Sequence, residues 1–427
     1  MIRNFLIIAA VIAGCFSARS QLTLESCMEK AEANYPLIKQ YALLEQTLDI
    51  DLSDINKSWL PKISLYGQAT IQNSVPSFPK ALSGVLQSMG QHMEGLSKFQ
   101  YKAGVDISQT IWDGGASKAR RRIAESREAS QRAALDVELY SVRERVRNLY
   151  FSVLFTEEQI EQNLLTASLL ESNLNRLTAM LRNGVAMQSD VDMVEAHLLS
   201  LRQGITQARS AVKGYRRILG LFIGEEIPEK SLLLSVPAPP GNLESARPEL
   251  TLFDKQTEAA MQMQKLNEAS LMPKIGFFTQ AYYGYPGFNY FKSMMSRNLS
   301  FNILAGVKAV WEIDALYTKK NNSLKTQLSL EQIASNRETF LFNSRLQQAG
   351  ESEAIEGLKE MMKDDARITA LYGNARKAAE SQLENGVIDT QTLLSRITDE
   401  NIAKLNAKLH EYQYLQEIYK LKYTLNR

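Results

Sequence analysis

Four stretches of the chain alternate apolar and polar residues at a period of two. From Ile63 to Asn73, Ile63, Leu65, Ala69 and Ile71 oppose Ser64, Gln68, Thr70 and Gln72. From Tyr101 to Trp112, Ala103, Val105, Ile107 and Ile111 oppose Lys102, Asp106, Ser108 and Thr110, with Gln109 the one polar intruder. From Leu299 to Ile313, Phe301, Ile303, Ala305, Val307, Ala309 and Trp311 oppose Ser300, Asn302, Lys308 and Glu312, while Ile275 to Tyr283 is the least regular of the four. That period marks strands with one apolar and one polar face. Elsewhere the period changes to three and four. Leu135, Leu139, Val142, Val146, Leu149 and Val153, then Ile160, Leu164, Ala167, Leu170, Leu174, Leu177 and Leu181, trace a coiled-coil seam. Residues 116–182 hold neither proline nor glycine, so the spacing predicts one helix of roughly 100 Å. A second rod is expected over Lys319–Glu384.

The pattern is written twice. Leu60-Pro61-Lys62-Ile63 recurs as Met272-Pro273-Lys274-Ile275, and Asn183-Gly184-Val185 recurs as Asn385-Gly386-Val387. Each copy reads helix, strand, strand, long helix, turn, helix. Asn-Gly accommodates positive φ, so each rod is expected to fold back into Ser189–Leu221 or Thr392–Leu425. Thr23–Ser58 and Pro248–Ser270 are the helices expected before the strand pairs, and Ser74–Gln100 and Gly284–Asn298 read as loops. The domain reading is a first repeat over 21–236, a linker over 237–247 around Pro237-Ala238-Pro239-Pro240-Gly241, and a second repeat over 248–427.

Composition narrows the class. Of 427 residues, 49 are basic and 47 acidic, which marks neither a nucleic-acid binder nor a polybasic membrane-surface protein. Residues 1–20 read as an export signal: Arg3, an apolar run from Phe5 to Phe16, then Ser17-Ala18-Arg19-Ser20. Cleavage before Gln21 is favoured. Ile12-Ala13-Gly14-Cys15 competes as a lipoprotein box that would leave Cys15 acylated. Cys27 then has no intrachain partner and reads as a small buried hydrophobe. His92, His197 and His410 lie far apart, and no zinc spacing, phosphate loop or nucleophile elbow appears. No catalytic group, cofactor or metal site is expected, and no enzyme. Met261, Met263, Met272, Met294 and Met295 read as gap-fillers before they suggest a metal route.

The strands reach the length a tilted membrane strand needs, and they follow an export signal. Trp59 precedes the first, and Trp112 and Trp311 end the second and fourth. Hairpin pairing puts all three at one rim, as an interfacial girdle would be. Four strands cannot close a barrel, and open edges are not tolerated in lipid. Two chains would supply a barrel of eight strands whose interior side chains fill. A homotrimer is the smallest assembly with an open bore.

The element order, the duplication and these local patterns resemble the outer-membrane efflux protein family typified by TolC. Leu22-Thr23-Leu24-Glu25-Ser26-Cys27 is similar to the family's first helix, Leu60-Pro61-Lys62-Ile63 to its entry into the barrel, and Arg176-Leu177-Thr178 through Gly184 to Asp190 and Ala196 to its tip. The resemblance implies a mixed α and β fold, a trimeric outer-membrane β-barrel continued by a long antiparallel coiled-coil barrel in the periplasm. It implies a passive exit duct contacting outer-membrane lipid, fed by an inner-membrane pump through a periplasmic adaptor. Adaptor docking would fall on Gly184, Val185, Gly386 and Val387. Entrance positions map to Asp190, Thr392 and Ser395, the last two standing where the family often carries aspartates. Asp389 and Glu384 lie nearby and read equally as entrance acids or as solvated surface charges. The rival reading is a structural coiled-coil envelope lipoprotein anchored at Cys15.

Overall fold

A computed structural model describes residues 22–90, 95–233, 237, 240–241 and 244–426. The export signal with Cys15, the Gln21 cleavage point, His92 and residues 238–239 and 242–243 of the linker lie outside the described residues.

In chain order the elements are α1 (Leu24–Asn34), α2 (Ile38–Lys57), β1 (Lys62–Ile71), α3 (Lys80–Ser88), β2 (Phe99–Trp112), α4 (Ala116–Arg182) and α5 (Gln188–Ile223). There follow α6 (Pro248–Ser270), β3 (Lys274–Tyr285), α7 (Tyr290–Met295), β4 (Ser300–Val310), α8 (Ala315–Glu384) and α9 (Thr390–Leu425). The order helix, strand, strand, long helix, shorter helix thus occurs twice. Two compact units are assembled from both halves of the chain: residues 43–132 with 253–335, and residues up to 42 with 133–252 and 336–427.

The unit formed by 43–132 and 253–335 holds one antiparallel sheet in the order β1-β2-β3-β4. β4 is shorter than the alternation to Ile313 suggests. Val310 pairs with Lys274, the first residue of β3, so Trp311 and beyond have no partner to extend the ladder. Helix α4 starts directly after β2 because Asp113 accepts from Gly115 N (3.0 Å) and Ser117 N (2.6 Å), capping donors that a helix start leaves open.

The other unit is helical. Cys27 and Ala31 of α1 pack against Val146 and Val153 of α4, Leu219 of α5 and Leu415 of α9, all buried. The Tyr150 hydroxyl lies between the carbonyls of Leu22 (2.8 Å) and Leu233 (2.5 Å), fastening the start of the described chain to the strand-like bridge Leu22–Leu232. Cys27 is fully buried and free, and burial pushes its thiol up to about 11. A second core joins Leu170 and Leu177 of α4 and Val194 of α5 to Leu383 of α8 and Leu393 and Ile397 of α9.

Three expectations are corrected. The helix expected over Thr23–Ser58 is two helices, because Pro36 drives Tyr35 into an extended conformation (φ −67°, ψ 133°) and ends α1 there. The stretches read as loops, Ser74–Gln100 and Gly284–Asn298, contain the short helices α3 and α7. Leu164 leaves the expected seam and is exposed, although its seam neighbours Val153, Ala167 and Leu170 are buried.

Candidate channel wall and helical tips

The register makes the sheet strictly two-faced. Every odd-numbered residue of the paired strands shares a face with odd-numbered partners, and every even one with even, up to a bulge between Thr110 and Trp112. The odd face carries Ile63, Leu65 and Ile71 of β1, Val105 and Ile107 of β2, Phe277 and Ala281 of β3, and Ile303 and Val307 of β4. Its apolar side chains stand open: Leu65 is 81% and Ile71 82% exposed. The even face carries all the strands' charges: Lys62, Lys102, Asp106, Lys274 and Lys308. The strands at the two edges, β1 and β4, each keep one unpaired side among the described residues.

Gln109, the polar intruder, lies on the odd face and donates from Nε2 to the Trp59 carbonyl at 3.4 Å. Trp112 pairs with Ile275, and the Trp311 indole N–H donates to the Leu271 carbonyl at 3.0 Å. All three tryptophans therefore meet the same end of the sheet, where the strands join α2, α4, α6 and α8.

Both helix reversals use one backbone device. Gly184 N–H donates to Leu181 O (2.9 Å) and Val185 N–H to Met180 O (2.9 Å); Gly386 N–H donates to Leu383 O (3.0 Å) and Val387 N–H to Gln382 O (2.8 Å). These are the paired bonds of a Schellman cap with a left-handed glycine just past the helix. Val185 and Val387 are each 69% exposed, side chains that local packing does not use.

The returning helices start differently. Asp190 accepts the Met187 N–H at 3.1 Å, three residues before it. In the second turn Asp389 is itself the cap and accepts the Thr392 N–H at 2.8 Å. The Asp389 carboxyl is held below its ordinary range by the Thr392 hydroxyl and N–H. Thr392 thus lacks the acid that Asp190 supplies, and Asp389 takes over the capping from the other end of the same turn. Ser395 is exposed one turn further along. Glu384 accepts from Arg176 Nη1, linking α8 to α4 beside the turns. Asp389 and Glu384 are both exposed, and each also holds a hydrogen bond.

Among the described residues no helix is long and apolar enough to cross a membrane. The family model described as Outer membrane efflux protein matches residues 28–224. No match was found among curated protein sequences. Solved structures share the fold: VceC of Vibrio cholerae, an outer membrane protein (12% identity, 94% of this chain and 95% of that chain, TM-score 0.69), and the outer-membrane channel OprN (14%, 94% and 89%, 0.68). The open-state MtrE outer membrane channel of Neisseria gonorrhoeae gives 15%, 94% and 88%, with a TM-score of 0.67. Residues 28–224 thus resemble the outer membrane efflux protein family, and the chain shares the fold of TolC-like outer-membrane channels.

Proposed function

We propose that three copies of the chain pool their sheets into one closed barrel in the outer membrane. In this reading the chain is the passive exit duct of a tripartite efflux system. One observation carries it: a four-stranded sheet with an exposed apolar face, a charged opposite face and two free edges. In water such a face and such edges invite aggregation. In lipid the apolar face is solvated by acyl chains, but each unpaired edge group costs several kcal/mol. The strand order leaves β4 of one copy to pair with β1 of the next. Three times four strands give the first closed ring with an open bore.

The same reading assigns the remaining parts. Trp59, Trp112 and Trp311 form the interfacial girdle at the rim where the helices begin. Apolar residues left open on α8, such as Leu324, Leu328, Phe342 and Leu346, face neighbouring copies. The chain is an internal duplication of 21–236 and 248–427 across the 237–247 linker, after removal of residues 1–20. Gly184, Val185, Gly386 and Val387 receive a periplasmic adaptor that couples the duct to an inner-membrane pump, and Asp190, Thr392 and Ser395 flank the entrance. A coiled-coil tether anchored at Cys15 would have no use for the sheet.

Native mass measurement of the detergent-extracted protein tests the assembly. Three copies are expected; a stable monomer or dimer would overturn the duct.

A further inference from the structure

The even face of the sheet carries a cluster that neither the family nor the fold explains. Gly104 of β2 pairs with Tyr66 of β1 on one side and with Tyr282 of β3 on the other. A Cβ at Gly104 would fall 2.7 Å from the Tyr282 Cβ and 2.4 Å from the Ala281 carbonyl oxygen. Only glycine lets the two tyrosines flank that position. Lys102, two residues before on the same face, turns its ammonium over both rings, 5.7 Å from the Tyr66 centroid and 5.1 Å from that of Tyr282. Aromatic faces attract a cation without neutralising it. No carboxylate of the described residues lies within 4.0 Å of the Lys102 amine, and Asp106, on the same face, forms no ion pair among them.

The charge count of the face points the same way. Lys62, Lys102, Lys274 and Lys308 stand against Asp106 within the strands and Glu312 just past β4, where it pairs with Lys274 at 2.9 Å. Four lysines against two acids leave two positive charges per chain. The charges within the strands all lie on the face opposite the apolar one, which in a closed barrel is the bore. A low-dielectric wall focuses such a field along the path of a permeating ion.

We infer that the barrel bore is an anion-selective passage, with Lys102, seated between Tyr66 and Tyr282, as the group that meets passing anions. The favoured cargo class is organic anions: carboxylates, sulfonates or phosphate esters. This rests on the three-copy barrel proposed above.

The test uses the full-length protein in planar bilayers under a potassium chloride gradient at low salt, where screening is weakest. The reversal potential of the native protein should show preference for chloride. K102Q should cut the chloride-to-potassium permeability ratio roughly twofold, and K102E should cut it further. K102R, which keeps the charge, should retain it. Assembly is checked in parallel by native mass. If the protein conducts as three copies without anion preference, or if K102Q and K102E leave the preference unchanged, the selectivity inference is wrong and the duct stands. If the protein neither forms three copies nor conducts, the duct reading fails and the inference falls with it.

Discussion

Gly184 and Gly386 hold the same backbone angle, φ 71°, at the two helix reversals, and a Cβ built on either meets no heavy atom within 4 Å. The two facts separate two costs. A side chain at either position would strain the backbone but would not clash within the chain, so the space above both glycines is free for another backbone.

That separation makes the docking role testable. Gly184→Val and Gly386→Val should each cost about 1–2 kcal/mol of local stability from the left-handed conformation and should also block a partner. Gly184→Asn and Gly386→Asn keep the left-handed turn, since asparagine visits it readily, yet fill the same space. If the glycines dock an adaptor, the asparagine variants assemble normally but lose adaptor cross-linking and export. Normal cross-linking and export from both asparagine variants would show that the glycines serve helix reversal alone.

How far the chain could be read in advance depended on the distance between cooperating residues. The strands were legible because alternation is local, and the tips because Asn-Gly-Val sits beside a long seam. Pro36 was a readable break in the first helix, but the apolar positions around it carried the helical pattern across. The capping exchange between Asp190 and Asp389 was not legible. The cap position is the same in both turns, Met187 and Asp389, but the acid that serves it moves from three residues after the cap to the cap itself. Neither was the Lys102 cluster, because Tyr66 and Tyr282 meet it only through a strand register set by residues far apart in sequence.

The capping exchange predicts an asymmetric response to mutation. Asp389→Ala removes the acceptor for the Thr392 N–H and should lower the thermal midpoint of the helical unit, while Asp389→Asn should restore it, asparagine being as good a cap. Thr392→Asp, which mimics Asp190, should leave stability nearly unchanged because the cap is already filled. Because the Asp389 carboxyl sits below its ordinary range, the stability it adds is present at neutral pH and is lost as pH falls through its folded-state value. A melt of Asp389→Asn across acidic pH should lack that component; an identical acid dependence in both proteins would refute the assignment.

Cys27 offers a probe of the helical core. Its thiol is buried and raised to about 11, so at pH 8 almost none is thiolate and none is accessible. Maleimide labelling followed by peptide mapping should leave Cys27 unmodified in the native protein and modify it fully in denaturant. Rapid native labelling would mean that α1 opens from the core on the timescale of the reaction.

Glu351 should set a second and opposite pH dependence. Its side chain is 3% exposed on α8, with one oxygen accepting from the Thr424 hydroxyl at 3.0 Å and Oε2 buried without a hydrogen-bond partner. Burial pushes its carboxyl above the usual range, and this upward push outweighs the Thr424 bond and the Lys420 and Arg147 charges that favour ionisation. A group whose folded-state value is raised binds its proton more tightly folded than unfolded. Stability is therefore greatest below the ordinary glutamate value and declines as pH rises from there to the folded-state value. Glu351→Gln keeps the shape and the acceptor for Thr424 but cannot ionise, so its thermal midpoint should exceed that of the native protein at neutral pH and converge with it in mild acid. Arg147 sharpens the test. Its guanidinium is also buried, with Nε and Nη1 unpaired, so if Glu351 serves chiefly to balance that charge, Glu351→Gln will melt lower at neutral pH. Melting both proteins from mild acid to neutral decides between the two, and a lower midpoint for Glu351→Gln at neutral pH would overturn the desolvation argument.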